Sequence, residues 1–323
     1  MPPLTMSLVL EARRLLEGRI RRTPVEPSPA LSEVAGVPVS LKLESLQLTG
    51  SFKIRGAFFA LERLSETERR KGVVTCSAGN HGKAVAYVAR ELGIPATIYV
   101  PRGVDESKLE GMLSLGAEVV RTDCEGFDES ERLAREAAER TGRPYVSAYD
   151  DELILAANGG TLAAEVLEEA PEARSFLLPV GGAGLSGGFA FYTKTALPDS
   201  RVIGCQHELS PALALSLEKG EAITRLPPVA TTAGGLEGGI GRTGFGVLKE
   251  RIDVVALLTE QEIFEGVRFM LDRHQYSIEP SSAVTIAAVL TGKSGRLDSP
   301  AVAVISGRNV ALATVRRILD GCA

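Results

Sequence analysis

Strand patterns alternate with helix patterns along nearly the whole chain of 323 residues. Short apolar runs such as GVVTCS (72–77) are followed by longer amphipathic segments such as KAVAYVARELG (83–93). Two strands joined through a helix of about ten residues or more normally lie parallel in one sheet. The alternation therefore predicts an α/β fold built from mainly parallel sheets that are flanked by helices.

The number of strand–helix units and the chain length both favour two sheets over one. We expect two open, twisted, mainly parallel sheets. A small domain is expected at 49–150, inserted into a large domain that is formed by 1–48 and 151–323.

The same periodicities predict the individual elements. Helices are predicted at 7–20, 83–93, 106–116, 127–142, 189–196, 210–220 and 259–275, and near both 279–292 and the chain end. Strands are predicted at 37–44, 72–77, 95–101, 117–123, 144–149, 175–180, 201–206, 253–258 and 301–306. The remaining predictions are a proline-rich connection at 22–29, a tight turn at 78–82, a helix at 150–171 interrupted at 158–160, and a flexible stretch at 231–244.

Composition and charge argue against several classes of function. The formal net charge of −5 offers no basic surface for nucleic acid, and no apolar run is long enough to span a bilayer. Charged residues interrupt the N-terminal segment where a signal peptide needs an apolar run. The cysteines form no C-x-x-C pair and no metal-ligand spacing, which is typical of a reducing compartment. We therefore expect a cytoplasmic protein without a metal site, and its cysteines are Cys76, Cys124, Cys205 and Cys322.

A lysine at the start of a predicted helix is the first candidate for chemistry. Lys53 lies in LQLTGSFKIRGAFFAL (46–61), after a glycine turn at Gly50 and close to two candidate N-caps, Thr49 and Ser51. Its sequence neighbours are apolar, and in such surroundings the pKa of an amine falls so that it can attack a carbonyl. The stretch alone is equally consistent with an exposed surface lysine.

A glycine-rich turn, PVGGAGLSGG, follows the predicted strand at 175–180. Gly181, Gly182 and Gly184 leave backbone N–H groups free to face an anion, and the next helix adds its dipole. GAGLSG at 182–187 also matches G-x-G-x-x-G, with Glu208 near the distance of a ribose-binding acid. The stretch predicts phosphate binding and leaves a nicotinamide-dependent oxidoreductase open as an alternative.

Two further polar turns stand at predicted strand ends. SAGNHGKA (77–84) crowds an asparagine and a histidine into one turn, and SGRN (306–309) places a serine at the end of another strand. Ligands of open α/β sheets bind at the carboxyl ends of strands, so these turns and the glycine turn are expected to converge. An amine, a phosphate cradle, an amide and a hydroxyl are together what pyridoxal phosphate requires.

The motifs and their order resemble those of the fold-type II pyridoxal-phosphate enzymes, and among them the serine/threonine dehydratases, with serine racemase as a close relative. The resemblance rests on LQLTGSFKIRGA, SAGNHG, PVGGAGL, SGRN in place of SGGN, and EPSSA (279–283) in place of EPSGA. YDD (149–151) with NGGT (158–161) is similar to a further family segment. The resemblance implies a tryptophan synthase β-like fold.

The resemblance also implies a role for each site residue. Lys53 would carry the cofactor as a Schiff base and would move the substrate Cα proton. Asn80 would bond the cofactor 3′-oxygen, and Ser306 its pyridine nitrogen. The other cofactor-binding residues would be Phe52, Gly181, Gly182, Ala183, Gly184 and Leu185. Ser77, Gly79 and His81 would help to bind the substrate carboxylate.

The implied activity is that of a lyase of amino-acid catabolism. A homodimer would convert L-threonine or L-serine to a 2-oxo acid and ammonia by β-elimination. Ala78 stands where racemases carry a second base, so racemisation is disfavoured. Gln206 stands where an acidic cation ligand is expected, so no bound metal is expected.

Substrate choice is left open by one departure from the family pattern. TTAGGLEGGIG (231–241) replaces the usual segment near the substrate, and its LEGGIG resembles dehydratases of ectoine breakdown. The alternatives are therefore 3-hydroxyaspartate or an ectoine-pathway hydroxy amino acid as substrate, an amino-acid racemase, and a cofactor-binding protein without catalysis.

Overall fold

The computed structural model describes residues 3–104, 106–124 and 126–321, without the side chains of residues 107 and 108. Nine strands are present in these ranges. They are β1 (Val25–Pro27), β2 (Val39–Leu43), β3 (Val73–Cys76), β4 (Ala96–Val100), β5 (Glu118–Arg121), β6 (Ser175–Pro179), β7 (Arg201–His207), β8 (Val254–Leu258) and β9 (Ala301–Ile305).

Helices connect and cover these strands. In chain order they are α1 (Met6–Leu16), α2 (Pro29–Ala35), α3 (Lys53–Glu62), α4 (Glu66–Lys71), α5 (Asn80–Leu92), α6 (Glu106–Leu113), α7 (Phe127–Thr141), α8 (Glu152–Leu155), α9 (Thr161–Glu169), α10 (Ser186–Ala196), α11 (Ala212–Lys219), α12 (Arg242–Leu248), α13 (Glu260–His274), α14 (Pro280–Leu290) and α15 (Leu312–Leu319).

The strands form two separate sheets. The larger has six strands in the order β1-β2-β9-β6-β7-β8, and the smaller has three in the order β3-β4-β5. Only β1 and β2 pair antiparallel among these strands, and the other pairs are parallel. The prediction of an α/β fold with two mainly parallel sheets is confirmed. The carboxyl ends of β9, β6 and β7 consequently lie at one edge of the larger sheet.

The division into two domains stays a prediction. The strands of the smaller sheet all lie within 49–150. The start of that range is nevertheless joined to the end of β9, because Ser51 forms a bridge with Gly307 and the Arg308 N–H donates to Gly50 O at 2.8 Å.

The proline-rich connection predicted at 22–29 is wrong in part. Val25 and Glu26 pair with β2, and Ser28 caps α2 by accepting from the Leu31 N–H at 3.2 Å. Proline is tolerated on an edge strand and in the first turn of a helix, where its missing N–H costs nothing. The prolines therefore fit β1 and the start of α2.

The strand predicted at 144–149 is also wrong. A single bridge joins Tyr145 to Val74, with hydrogen bonds from Val74 N to Pro144 O and from Val146 N to Val74 O, both 2.9 Å. Pro144 has no N–H with which to begin a ladder. Beyond Val146 the chain leaves the smaller sheet.

The predicted helix interruption at 158–160 is a π turn, Ala156–Gly160, between α8 and α9. The start of α10 packs directly on this turn. A Cβ on Gly159 would lie 2.0 Å from Leu185 O, and one on Gly188 would lie 1.8 Å from Leu155 O. Glycine at both positions lets the two backbones touch, which fixes where the glycine-rich turn after β6 stands.

The stretch predicted to be flexible at 231–244 is tied down at its start and ends inside α12. Glu260 accepts from Thr231 Oγ1 at 2.6 Å, from Thr232 N at 2.8 Å and from His207 Nε2 at 2.9 Å. Burial opposes the charge of Glu260, but these hydrogen bonds outweigh it and lower its pKa to about 2.

A buried ion cluster fixes α3 to the larger sheet. The guanidinium of Arg55, 0% exposed, is bidentate to Glu44 at 2.8 Å for both contacts. It is also bidentate to Glu165 on α9, at 2.7 and 2.8 Å, and Lys42 Nζ donates to the same carboxylate at 2.8 Å. Burial alone would lower the pKa of Arg55, but the two carboxylates raise it. The two positive charges of Arg55 and Lys42 are thus balanced by the two negative charges of Glu44 and Glu165.

Two of the cysteines in the described residues serve as small buried apolar side chains. Cys76 and Cys205 are buried, Cys124 is half-buried, and all three are free thiols. Cys322 lies outside the described residues.

Candidate active site

Lys53 is the first residue of α3. The predicted glycine turn is present, since Gly50 has φ +79° and a Cβ there would lie 2.8 Å from Asn309 Oδ1. The predicted caps are wrong, because Phe52 occupies the N-cap position without a side-chain cap. The Thr49 and Ser51 hydroxyls are buried without a hydrogen-bond partner among the described residues.

The Lys53 amine has the properties of a nucleophile. Its Nζ donates to Ala148 O at 2.7 Å and lies 5.2 Å from the centre of the Phe52 ring. Burial lowers the pKa of Lys53 to about 8, although the nearby Glu279 carboxylate acts in the opposite direction. A substantial neutral fraction near pH 8 suits an amine that attacks a carbonyl.

The glycine-rich turn between β6 and α10 presents a row of free donors. No N–H of residues 181–185 donates to an acceptor in the described parts of the chain. The turn leads into α10, whose N-terminus adds positive potential. Buried backbone N–H groups rarely stay unpaired, so this row fits an anion with several acceptor oxygens, such as a phosphate.

The turn has no spare room for side chains. A Cβ on Gly181 would lie 2.1 Å from Gly235 O, and one on Gly182 would lie 2.3 Å from the Tyr149 ring. Ala183 adopts φ +69°, an uncommon conformation for a residue with a Cβ. Tyr149 follows the carbonyl that accepts from Lys53, so it connects the lysine to this turn.

Asn80 lies at the start of α5, three residues earlier than the predicted helix start, and Gly79 is the N-cap residue. Its Nδ2 donates to both carboxylate oxygens of Glu279, at 2.8 and 3.0 Å. Its Oδ1 accepts from Asn309 Nδ2 at 2.6 Å. The amide that the resemblance assigns to a cofactor oxygen is thus held by a carboxylate that also faces Lys53.

Ser306 directly follows β9 and lies next to the lysine stretch. It is 4% exposed, and its Oγ lies 2.9 Å from Ser282 Oγ. Its carbonyl accepts from the Phe52 N–H at 3.1 Å. Because Phe52 directly precedes Lys53, this bond holds Ser306 close to the lysine. The tertiary structure therefore brings Lys53, Asn80 and Ser306 into one site.

The three residues assigned to the substrate carboxylate differ in their surroundings. Ser77 Oγ accepts from the exposed Gly79 N–H at 3.2 Å. His81 is buried, with Nε2 at 3.0 Å from Thr75 Oγ1 and 3.3 Å from Val146 O. Burial and the Lys53 charge lower the pKa of His81 to about 3, although its bond to Val146 opposes the shift, so the ring is neutral. Its role towards a carboxylate stays a prediction.

No role for Glu279 or Tyr149 follows from the sequence, although Glu279 lies in EPSSA and Tyr149 in YDD. Glu279 directly precedes the proline that begins α14, and Tyr149 follows Ala148, whose carbonyl binds Lys53. An acid before a helix start is an ordinary N-cap pattern, so nothing local distinguished Glu279. Only the folded chain brings it to Asn80.

Neither a metal cluster nor a membrane span is found in the parts of the chain that the structure describes. No three His, Cys, Asp or Glu side chains stand close enough there to hold a metal ion. No helix in those ranges combines the length and the apolar character needed to cross a bilayer.

Comparison with known proteins gives consistent matches. A family model described as "Pyridoxal-phosphate dependent enzyme" matches residues 16–307. The L-threonine ammonia-lyase of Thermotoga maritima is 38% identical over 98% of this chain and 78% of its own length. The catabolic L-threonine dehydratase of Escherichia coli K12 is 35% identical over 98% of this chain and 96% of its own length. The structure of maize serine racemase superposes with a TM-score of 0.91 at 29% identity, covering 99% of this chain and 98% of that one.

Proposed function

We propose, on the premise that the chain belongs to the family of pyridoxal-phosphate dependent enzymes, that it is a dehydratase acting on L-threonine, L-serine or both. The observation that carries the proposal is the Lys53 amine, with its pKa lowered to about 8, together with the row of free N–H groups at 181–185, to which Ala148 and Tyr149 connect it. Two relatives named for threonine dehydration match 98% of the chain and support this substrate class. Because the chain belongs to this family, the alternative of a nicotinamide-dependent oxidoreductase is dropped.

The residues present fit pyridoxal phosphate. The row of N–H groups at 181–185 would hold its phosphate, and Lys53 Nζ would attach to its carbonyl carbon. Asn80 would bond the ring 3′-oxygen, Ser306 would bond the ring nitrogen, and Phe52 would pack beside the ring. The neutral hydroxyl of Ser306 does not hold the ring nitrogen protonated as a carboxylate would.

Each protein group then has a defined task in β-elimination. Bound pyridoxal phosphate supplies an electron sink that acidifies the substrate Cα–H. Lys53 Nζ would accept that proton, and one proton delivered to the β-hydroxyl would let it leave as water, so that no net proton is gained or lost. The N-terminus of α5, with Ser77 and Gly79, would hold the substrate carboxylate. After release, the unsaturated amino acid tautomerises to an imine, and hydrolysis of that imine yields the 2-oxo acid and ammonia.

Racemisation is the second candidate, favoured by the likeness to maize serine racemase. It requires a proton donor on the substrate face opposite Lys53. Ala78, in the turn before Asn80, carries only a methyl group where the resemblance expects that donor. We therefore expect elimination to exceed racemisation.

Release of 2-oxo acid from L-threonine and L-serine by the cofactor-loaded protein tests the proposal. Formation of 2-oxobutanoate or pyruvate with equimolar ammonia is the expected result. The same assay with 3-hydroxyaspartate and an ectoine-pathway hydroxy amino acid tests the alternative substrates. Faster formation of D-serine than of pyruvate would instead assign the protein as a racemase.

Substitution of Gly181 by alanine is expected to weaken cofactor binding by about 5- to 150-fold, because overpacking costs about 1–3 kcal/mol. Its Cβ would lie 2.1 Å from Gly235 O, a backbone atom that cannot move aside cheaply. Titration of the apoprotein with pyridoxal phosphate, followed by visible absorbance, measures the change. Gly234→Ala is the control, since a Cβ there meets nothing within 4 Å. Equal affinities for the two variants would contradict a role for the turn.

Cofactor capture by the apoprotein is expected to accelerate with pH until about pH 8. The pKa of Lys53 is lowered to about 8, so the attacking neutral amine becomes the major form only above that pH. Below it, the neutral fraction and the capture rate fall about tenfold per pH unit. Stopped-flow absorbance between pH 6 and 9 measures the rate. A rate that still rises about tenfold per pH unit between pH 8 and 9 would show that the pKa of Lys53 is not lowered as stated.

The expected assembly and location are also proposals. The resemblance supports a homodimer, and the free, unpaired Cys76, Cys124 and Cys205 support the reducing cytoplasm. A small-molecule amino acid is the expected partner, without nucleic acid or membrane. The division into 49–150 and the two flanking segments belongs to the same proposal.

A further inference from the structure

Gln206 lies directly behind the phosphate-binding turn. It stands near the carboxyl end of β7, beside the end of β6, and it is 0% exposed. The two strands pair in parallel, with Pro179 opposite Cys205. Gln206 is therefore the neighbour of Val180, the residue that leads into the row of free N–H groups at 181–185.

The Gln206 amide uses both of its ends. Its Nε2 donates to Val180 O at 3.3 Å. Its Oε1 accepts from Leu213 N at 3.0 Å and from Ala214 N at 3.2 Å, both in the first turn of α11. One neutral side chain thus ties the strand before the turn to the helix behind it.

A carboxylate could not make the same three contacts. It could accept from the two α11 N–H groups, but its second oxygen would face Val180 O, and two acceptors need a proton or a cation between them. The resemblance implies an acidic cation ligand at this position. The donor set present does not fit a cation, because Gln206 already supplies the donor that Val180 O requires.

We propose that Gln206 is a positioning residue that holds the phosphate-binding turn and takes the place of a divalent cation. Cofactor binding by this protein is therefore independent of divalent ions. The inference rests on the proposed function only through the cofactor phosphate, and the identity of the amino-acid substrate does not enter it.

Gln47 offers a matched control. It is 0% exposed, its Nε2 donates to Arg21 O at 2.7 Å, and its Oε1 accepts from Arg21 N at 3.0 Å and Leu48 N at 3.1 Å. The two glutamines thus share burial and bonding pattern, but Gln47 has no contact with the phosphate-binding turn. Gln206→Glu and Gln47→Glu make the same chemical change in these two places.

Thermal midpoints and pyridoxal-phosphate affinities of both variants, measured in a chelator at pH 8, form the first test. Both midpoints should fall, because each variant buries an unpaired charge. Only Gln206→Glu should also weaken cofactor affinity, by about tenfold, the equivalent of one lost buried hydrogen bond. Equal cofactor affinities for the two variants at a temperature where both are folded would overturn the positioning role.

The wild-type protein provides a second test that needs no variant. Its thermal midpoint and its cofactor affinity should be the same in EDTA, in Mg²⁺ and in Ca²⁺. A several-fold loss of affinity in EDTA that either cation reverses would overturn the proposal. Because absorbance of the bound cofactor is measured rather than turnover, a protein that binds the cofactor without releasing 2-oxo acid would refute the proposed function alone.

Discussion

Replacement of Lys53 by alanine is expected to reduce 2-oxo acid release by about a thousandfold or more, since a positioned base alone contributes about 10²–10⁴-fold. The variant also lacks the amine that would attach the cofactor. Its visible absorbance after incubation with pyridoxal phosphate and gel filtration should therefore be lost. Steady-state rates with L-threonine and L-serine, with the absorbance spectrum, measure both effects.

Lys71→Ala is the control for this prediction. Lys71 is an exposed lysine that ends α4, and its Nζ donates to Gly142 O at 3.2 Å. That variant should keep the wild-type rate and spectrum. Full activity of folded Lys53→Ala would remove Lys53 from the mechanism. Lys53→Arg should also be inactive, because a guanidinium stays protonated and cannot serve as the base.

Replacement of Arg55 by methionine is expected to lower the free energy of unfolding by about 3–5 kcal/mol, the cost of leaving a buried charge unpaired. Glu44, also 0% exposed, would lose both of its hydrogen bonds to the guanidinium, and Glu165 would lose two more. Since Arg55 lies two residues after Lys53, cofactor binding should weaken as well. Urea unfolding followed by circular dichroism measures the loss.

Arg19→Met separates this effect from the general loss of an arginine. Arg19 pairs with Glu62 at 3.1 Å, but 49% of its side chain is exposed. Solvent-exposed pairs contribute about 0–1 kcal/mol, so this variant should unfold near the wild-type midpoint. Similar midpoints for the Arg55 and Arg19 variants would show that the buried cluster contributes no more than a surface pair.

The elements predicted well are those whose signals are local. The parallel strands β3, β4, β6, β7 and β9 follow apolar runs that glycine, proline or charged residues end. The position of Lys53 in the first turn of a helix also follows from a local glycine turn. Periodicity and turn chemistry act within a few residues, so the sequence alone exposes them.

The elements predicted wrongly depend on distant partners. β1 is a strand because Val25–Pro27 pairs with β2, and 144–149 is not one because it forms a single isolated bridge, from Tyr145 to Val74. The interruption predicted at 158–160 takes the form of a π turn, Ala156–Gly160, and its shape also depends on a distant partner, because the start of α10 packs against it. Local propensity is a weak prior that such packing overrides.

By itself, the sequence determined the α/β class, most of the strands along the chain and the motif types that belong to a pyridoxal-phosphate enzyme. Only the tertiary structure decided that the row of N–H groups at 181–185 has no acceptor of its own, that Glu279 holds Asn80, and that Gln206 supports Val180. The physical reason is the distance along the chain over which each interaction acts. Periodicity and turns are set by neighbours along the chain, whereas burial, free donors and a lowered amine pKa depend on groups that only folding brings together, such as Asn80 and Glu279, which are 199 residues apart.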